Sequence, residues 1–252
     1  MNSLCAKFLS GVTGVRVLSV VCGLFASLAF AQPAPDPDQS GVSISIVGLG
    51  DLPGALRFQQ GGKVMNVGIP AGGRGVSFHY QGPAPLVLFE EVADAAGKIT
   101  RVPKATASYP SEWKKVLLVL LPGDTKDGML RAFTFDDSRE GFPPDHVRLF
   151  NFYFSAVAVS ANGTIDQIEP GTSKLLALPA RDSLGRIWMK LAALRGGHWE
   201  VLPTWITQSP SSARLLMFAY EQRNEGGALI PVYRTLTEIV PPEEAPANVV
   251  MR

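Results

Sequence analysis

The chain is 252 residues long, with 23 Lys+Arg, 22 Asp+Glu and 3 His, for a formal net charge of +1. A balance this close to neutral, with no block of like charge, leaves no electrostatic footprint for nucleic acid. The 2 cysteines, Cys5 and Cys22, sit near the start, which excludes a disulfide framework, a thiol nucleophile and a cysteine-ligated metal from everything downstream.

Residues 1–31 read as an export signal. Lys7 and Arg16 supply positive charge, an uncharged apolar run follows from Val17 to Leu28, and Ala29-Phe30-Ala31 is a small-x-small cleavage site. The run falls short of the roughly 20 apolar residues of a spanning helix. Val21 before Cys22 departs from a lipobox, so cleavage leaving Gln32 first is expected rather than lipidation. Without Lys7 and Arg16 the balance is 21 basic against 22 acidic residues, or −1. The stretches 32–41 and 240–252 are polar and proline-rich, as flexible tails are. The longest later apolar run, Val116 to Leu121, has the length of a strand, so no transmembrane segment is expected in the mature chain. Its expected place is the periplasm or the extracellular space.

Between the tails, short runs rich in Val, Leu, Ile and Phe alternate with Gly, Pro, Asn and Asp. The spacing predicts strands over 42–49, 55–60, 64–67, 75–80, 85–92, 98–102, 115–121 and 129–135. After a break it predicts strands over 146–153, 156–160, 164–168, 173–178, 186–194, 198–206, 213–220 and 230–239. Gly61-Gly62, Asn162-Gly163 and Gly196-Gly197 offer the positive φ of tight hairpins. The 20 prolines oppose long helices. Pro70 and Pro170, and the apolar strands at 115–121 and 213–220, recur at an offset of about 100 residues, the length of a domain. The expected fold is all-β: two tandem β-sandwich domains, Ig-like or jelly-roll-like, over 42–137 and 147–239, joined by a linker at 138–146.

The stretch VSISIVGLGDLPGALRF, from Val42 to Phe58, resembles a dinucleotide turn but lacks its parts. The third glycine of the fingerprint falls on Pro53, and no helical period follows. Its middle, GLGDLPG, is expected to be a lengthened loop between the first two strands. His79, His146 and His198 are scattered, so no metal site is expected. The doublets Glu90-Glu91 and Asp136-Asp137 point to opposite faces of a strand and cannot form a catalytic pair alone. No G-x-S-x-G, S-x-x-K or H-E-x-x-H occurs. Trp188 is expected in the core. Trp199 and Trp205, in phase on one strand, are expected to share a face, either core or a sugar-stacking surface, with core favoured.

The segment VRLFNFYFSAVAVSANGTIDQIEPGTSKLLALP resembles modules of exported bacterial proteins of unknown function through Val147, Arg148, Asn151, Pro170, Gly171 and Ser173. The resemblance implies a β-sandwich and export, with no activity attached. The first repeat departs from it, with Ser43 where Arg would stand. Two tandem sandwiches also resemble periplasmic pilus chaperones in architecture, without their basic strand motif.

The strands Lys115–Leu121 and Leu215–Tyr220 are apolar on both sides, so both faces must leave water. Leu118, Leu120, Leu216, Phe218 and Tyr220 are the expected interface residues, at a contact between the two domains or with a partner. The expected function is a non-catalytic structural or assembly protein of the bacterial envelope acting through protein–protein contacts, with no cofactor and no metal. A carbohydrate- or peptide-binding module is the alternative.

Overall fold

A computed structural model describes residues 41–70, 73–123, 127–161, 163–202 and 204–241, save the side chain of Trp205. The expected export signal at 1–31, most of the expected tails at 32–41 and 240–252, and Asn162 lie outside the described residues. Every regular element described is a strand. In the first half these are β1 (Val42–Gly48), β2 (Arg57–Gln60), β3 (Lys63–Asn66), β4 (Phe78–Tyr80), β5 (Leu86–Ala93), β6 (Ile99–Ala107), β7 (Lys115–Pro122) and β8 (Leu130–Asp136). The second half holds β9 (His146–Asn151), β10 (Val157–Ala161), β11 (Thr164–Ile168), β12 (Thr172–Ala177), β13 (Arg186–Arg195), β14 (His198–Val201), β15 (Trp205–Gln208), β16 (Ala213–Arg223) and β17 (Leu229–Ile239).

The strands form four sheets, here numbered I to IV. Sheet I has the order β3-β2-β5-β6 and sheet II β4-β1-β7-β8. Sheet III runs β12-β9-β16-β17, and sheet IV runs β11-β10-β13-β14 with β15 also on β13. The two halves share one wiring. β1 pairs parallel with β7 in sheet II, as β9 does with β16 in sheet III, and every other pairing is antiparallel.

Three apolar layers hold the sheets together. Ile44, Ile46, Leu118 and Leu120 of sheet II meet Phe58, Leu86 and Leu88 of sheet I. Val147, Leu149, Leu215 and Met217 of sheet III meet Val157, Val159, Ile187 and Met189 of sheet IV. Between them, Val47, Leu117, Val119 and Leu121 of sheet II meet Phe150, Leu216, Phe218 and Tyr220 of sheet III. The stacking order is therefore I, II, III, IV. Sheets II and III are covered on both faces, which is why all residues from Val116 to Leu121 are buried. Outer strands alternate instead: β13 buries Ile187, Met189, Leu191 and Ala193 and turns Trp188 and Lys190 outward.

Local chemistry sets the hairpins. Gly61 and Gly62, at φ 55° and 79°, close β2 onto β3, and Gly196 and Gly197, at 54° and 81°, close β13 onto β14. Two consecutive positive φ angles are the requirement of the type I′ turn, which matches strand twist.

One expected strand is broken. The run 198–206 divides into β14 and β15, both on β13. Val201 pairs with Ala192 and Trp205 with Met189, so three residues oppose two between them. The extra residue changes the phase. Trp199 registers with outward Leu194, while the side chain of Trp205, expected on the same face, lies outside the described residues. The cause lies in Leu202, which turns against the second core, followed by a proline that has no N–H for the ladder.

Candidate binding surfaces

The glycines after β1 build a loop, not a dinucleotide turn. β1 ends at Gly48, and the next element is the strand β2. A pyrophosphate site of that kind needs a helix N-terminus there. The corresponding loop of the second half, 152–156, is shorter than 49–56. It is tied down by Asn151, fully buried, whose Nδ2 donates to the carbonyls of Ser155 (2.8 Å) and Ile168 (2.9 Å) while its Oδ1 accepts from Tyr153 N (3.0 Å). Gly171 N donates to Asn151 O at 2.7 Å. Asn151 and Gly171 of the V-R-x-x-N and P-G-x-S signatures thus secure one corner of sheet III.

The other chemistry-bearing side chains serve structure. His79, His146 and His198 lie on β4, β9 and β14, in three different sheets. Glu91 pairs with Arg57 and Arg101, and Glu90 with Lys104 at 3.3 Å. Asp136 Oδ1 accepts from Ser138 N at 2.9 Å. Asp137 anchors an ion cluster at one end of the layer between sheets II and III. Its carboxylate takes Arg74 Nη1 at 2.9 Å and Arg214 Nη2 at 3.0 Å. Glu238 closes the ring, with Arg214 Nε at 2.9 Å and Arg74 Nε at 2.7 Å, the latter a charge contact rather than an aligned hydrogen bond. Phe142, buried in the segment 138–146, lies between the guanidinium groups of Arg148 and Arg214. Burial lowers the Arg148 pKa, opposed by the charges of Asp136 and Asp137. Among the described residues no group of three His, Cys, Asp or Glu is placed to hold a metal ion, and no helix is long and apolar enough to cross a membrane.

The expected interface residues divide between two layers. Leu118 and Leu120 face sheet I in the first core, and Leu216, Phe218 and Tyr220 face sheet II. The side chains of β7 that meet them are Leu117, Val119 and Leu121. Phe150 stacks on Phe218 with centroids 4.9 Å apart. All five expected residues are buried within the chain itself.

Two open surfaces among the described residues carry clustered aromatic groups. The first is the outer face of sheet IV. Trp188, expected in the core, is 45% exposed there, and Trp199 is 44% exposed. The alternation of β13 puts its odd positions inside and Trp188 outside. The indole Nε1 of Trp188 donates to Asp182 Oδ2 at 3.2 Å, and Arg186 lies over the ring. Hydrogen bonds from the backbone N–H of Arg186 lead the causes that lower Asp182 to about 2. Ile206 pairs with Trp188, and Val201 with Ala192, so exposed aliphatic groups flank the tryptophans. The outer face of sheet I, built on the same wiring, carries the Arg57–Glu91–Arg101 ion pairs beside exposed Val87 and Ile99.

The second is a cavity of about 580 Å³ at the end of the layer between sheets II and III. Sheet II contributes Pro122, Arg131 and Phe133, and the loop after β1 adds Asp51. The other wall is Phe152, Tyr153 and Phe154 with Pro170, and Glu221 and Arg223 stand at the end of β16. Phe154 is 65% exposed and lies 4.4 Å from Tyr153 between ring centroids. Arg195 backs Tyr153, donating from Nε to its hydroxyl at 3.2 Å. Clustered aromatics at a concave seam were not legible in the sequence, because Phe133 and Phe152 meet only when the sheets stack.

No family model matches the chain, and no curated protein matches it closely enough to carry an inference.

Proposed function

We propose that the protein is a non-catalytic, exported component of the bacterial cell envelope that acts by contact with another protein. It is built from two duplicated β-sandwich domains, 42–137 and 147–239. The duplication is supported by the shared wiring of the two halves, parallel pair included. Export is supported by the signal pattern of residues 1–31 and the resemblance of residues 147–179 to exported modules. The non-catalytic reading is supported by the acidic doublets, which are taken up by ion pairs and a turn.

The observation that carries the contact function is the difference between the two outermost faces. Sheet I carries ion pairs beside exposed Val87 and Ile99, whereas sheet IV exposes two tryptophans, Trp188 and Trp199, with Val201 and Ile206 on neighbouring strands. Aromatic and aliphatic groups exposed together on one sheet face mark an interaction site. The aliphatic Val201 and Ile206 offer no hydrogen bonds to sugar hydroxyls, which favours protein over the alternative, a carbohydrate.

The test is crosslinking in the exporting cell, on a chain whose mass first establishes that it begins at Gln32. A defined crosslinked protein partner is expected, lost in the Val201→Lys and Trp199→Lys variants at unchanged Tm. Unchanged crosslinking in both variants would remove sheet IV as the contact face. Polysaccharide binding abolished by Trp188→Ala would replace the reading with the carbohydrate module.

A further inference from the structure

We infer that the protein forms a two-fold dimer in which the outer edge of β17 pairs antiparallel with β17 of a second copy, joining two copies of sheet III into one continuous sheet. This goes beyond the contact at sheet IV and uses a different sheet.

The edge is open and its hydrogen-bonding parity is fixed. β17 ends the order of sheet III, and among the described residues no strand or bridge pairs with its outer side. At 11 residues it is the longest edge strand described. Val240 N donates to Ser212 O at 3.0 Å and Asn224 N to Ala228 O at 2.9 Å, so the even-numbered residues of β17 turn their N–H and C=O groups toward β16. Tyr233, Thr235, Thr237 and Ile239 therefore turn theirs to the open edge. Such a row is a template for another strand. Pro231 and Pro241 have the same parity and lack an N–H, so they bound the usable ladder at both ends.

The sequence between those prolines selects the partner. Residues 231–241 read PVYRTLTEIVP, which is nearly the same in both directions about Leu236. Antiparallel pairing of two copies about an axis at Leu236 sets each residue opposite its mate. Val232 meets Val240, Tyr233 meets Ile239, Thr235 meets Thr237, and Leu236 meets itself. Arg234 meets Glu238, so no like charges are opposed. Glu238 already faces Arg74 and Arg214, with Asp137 balancing them, so the match lies in the whole strand rather than in one ion pair. In this register Tyr233, Thr235, Thr237 and Ile239 all fall into hydrogen-bonded pairs, which exchange two bonds each. An axis at Thr235 would set Pro231 opposite Ile239, and one at Thr237 would set Tyr233 opposite Pro241, so either loses ladder bonds. A symmetric edge contact uses up both edges and closes at the dimer.

Sedimentation equilibrium of the chain that begins at Gln32 tests the contact, with Thr235→Pro as the edge variant. The wild type is expected to reach twice the monomer mass and to stop there. The N–H of Thr235 points away from β16, so proline there removes no hydrogen bond within the chain, and the variant should stay folded and monomeric. Oxidation of single-cysteine variants reads the register, since this chain has no cysteine of its own. Leu236→Cys should give a disulfide-linked dimer, because a non-hydrogen-bonded pair holds its Cα atoms about 4.5 Å apart. Thr237→Cys should crosslink only when mixed with Thr235→Cys. Should Thr235→Pro fail to fold, the cysteine pattern decides alone. A monomeric wild type, a folded Thr235→Pro variant that still dimerises, or Thr237→Cys crosslinking by itself as readily as Leu236→Cys would each overturn the inference. The Val201→Lys and Trp199→Lys variants should dimerise as the wild type does, which separates this contact from the one at sheet IV.

Discussion

Asp182 shows how one half-buried side chain organises a turn. Its Oδ1 accepts the backbone N–H groups of Leu184 and Arg186, both at 2.9 Å, and its Oδ2 meets Arg186 Nε at 2.8 Å and the Trp188 indole. These bonds favour the charged carboxylate and hold it at about 2, below its usual value near 4. Because the folded value is depressed, the stability it contributes is present above the unfolded value and is lost as pH falls from about 4 through about 2. Asp182→Asn should flatten the stability–pH profile of the protein in that window; an unchanged profile would mean that other carboxylates carry the acid transition. Tyr233 has the opposite sign. Burial raises it to about 12, so the stability its neutral phenol contributes is complete below about 10 and is lost as pH rises through about 12. The absorbance of ionised tyrosine, followed against pH with Tyr233→Phe as reference, should show this one group titrating late.

At the scale of the element, β7 and β16 are the strands on which the molecule is assembled. Each runs beside a parallel partner in the middle of its sheet and is buried on both faces. Leu117 and Leu118 are adjacent and equally buried, yet they serve different layers, the first between sheets II and III and the second between I and II. Replacing either with Asp buries a carboxylate without a partner, and each change should cost on the order of 3 kcal/mol or more. Thermal melts of Leu117→Asp and Leu118→Asp should both shift far down. A Leu117→Asp variant that melts like the wild type would mean that the layer between sheets II and III opens without cost. The two-sided character of these strands was legible in the sequence, since Val116 to Leu121 has no polar position. What lay against each face was not legible, because alternation encodes side and not neighbour.

For the whole molecule, the layer between sheets II and III is the contact on which the arrangement of the halves depends. Its apolar side chains are sealed at one end by the cluster of Arg74, Asp137, Arg214 and Glu238. Arg214 contacts Asp137 across the halves, so removing that carboxylate strands cations in a largely buried place. Expressed alone, residues 147–239 would expose Leu216, Phe218, Tyr220 and Phe150 together. Such a fragment should bind a hydrophobic dye or aggregate, and mixing with the 42–137 fragment should relieve it. A monomeric, dye-free fragment would show that the second half covers this face without the first.

The sequence by itself determined the strands, most of their bounds and the tight hairpins. These follow from period-two alternation and from glycine pairs, and both are local properties that need no distant partner. Tertiary structure alone decided that Trp188 and Trp199 stand in the open, because burial on an outer strand depends on which face the core takes and on the extra residue between β14 and β15. It alone gathered Phe133, Phe152 and Phe154 into one cavity, and joined Arg74, Asp137, Arg214 and Glu238 into one cluster. Those groups are far apart in the chain, and their meeting is set by how the four sheets stack, a long-range choice that no local pattern records.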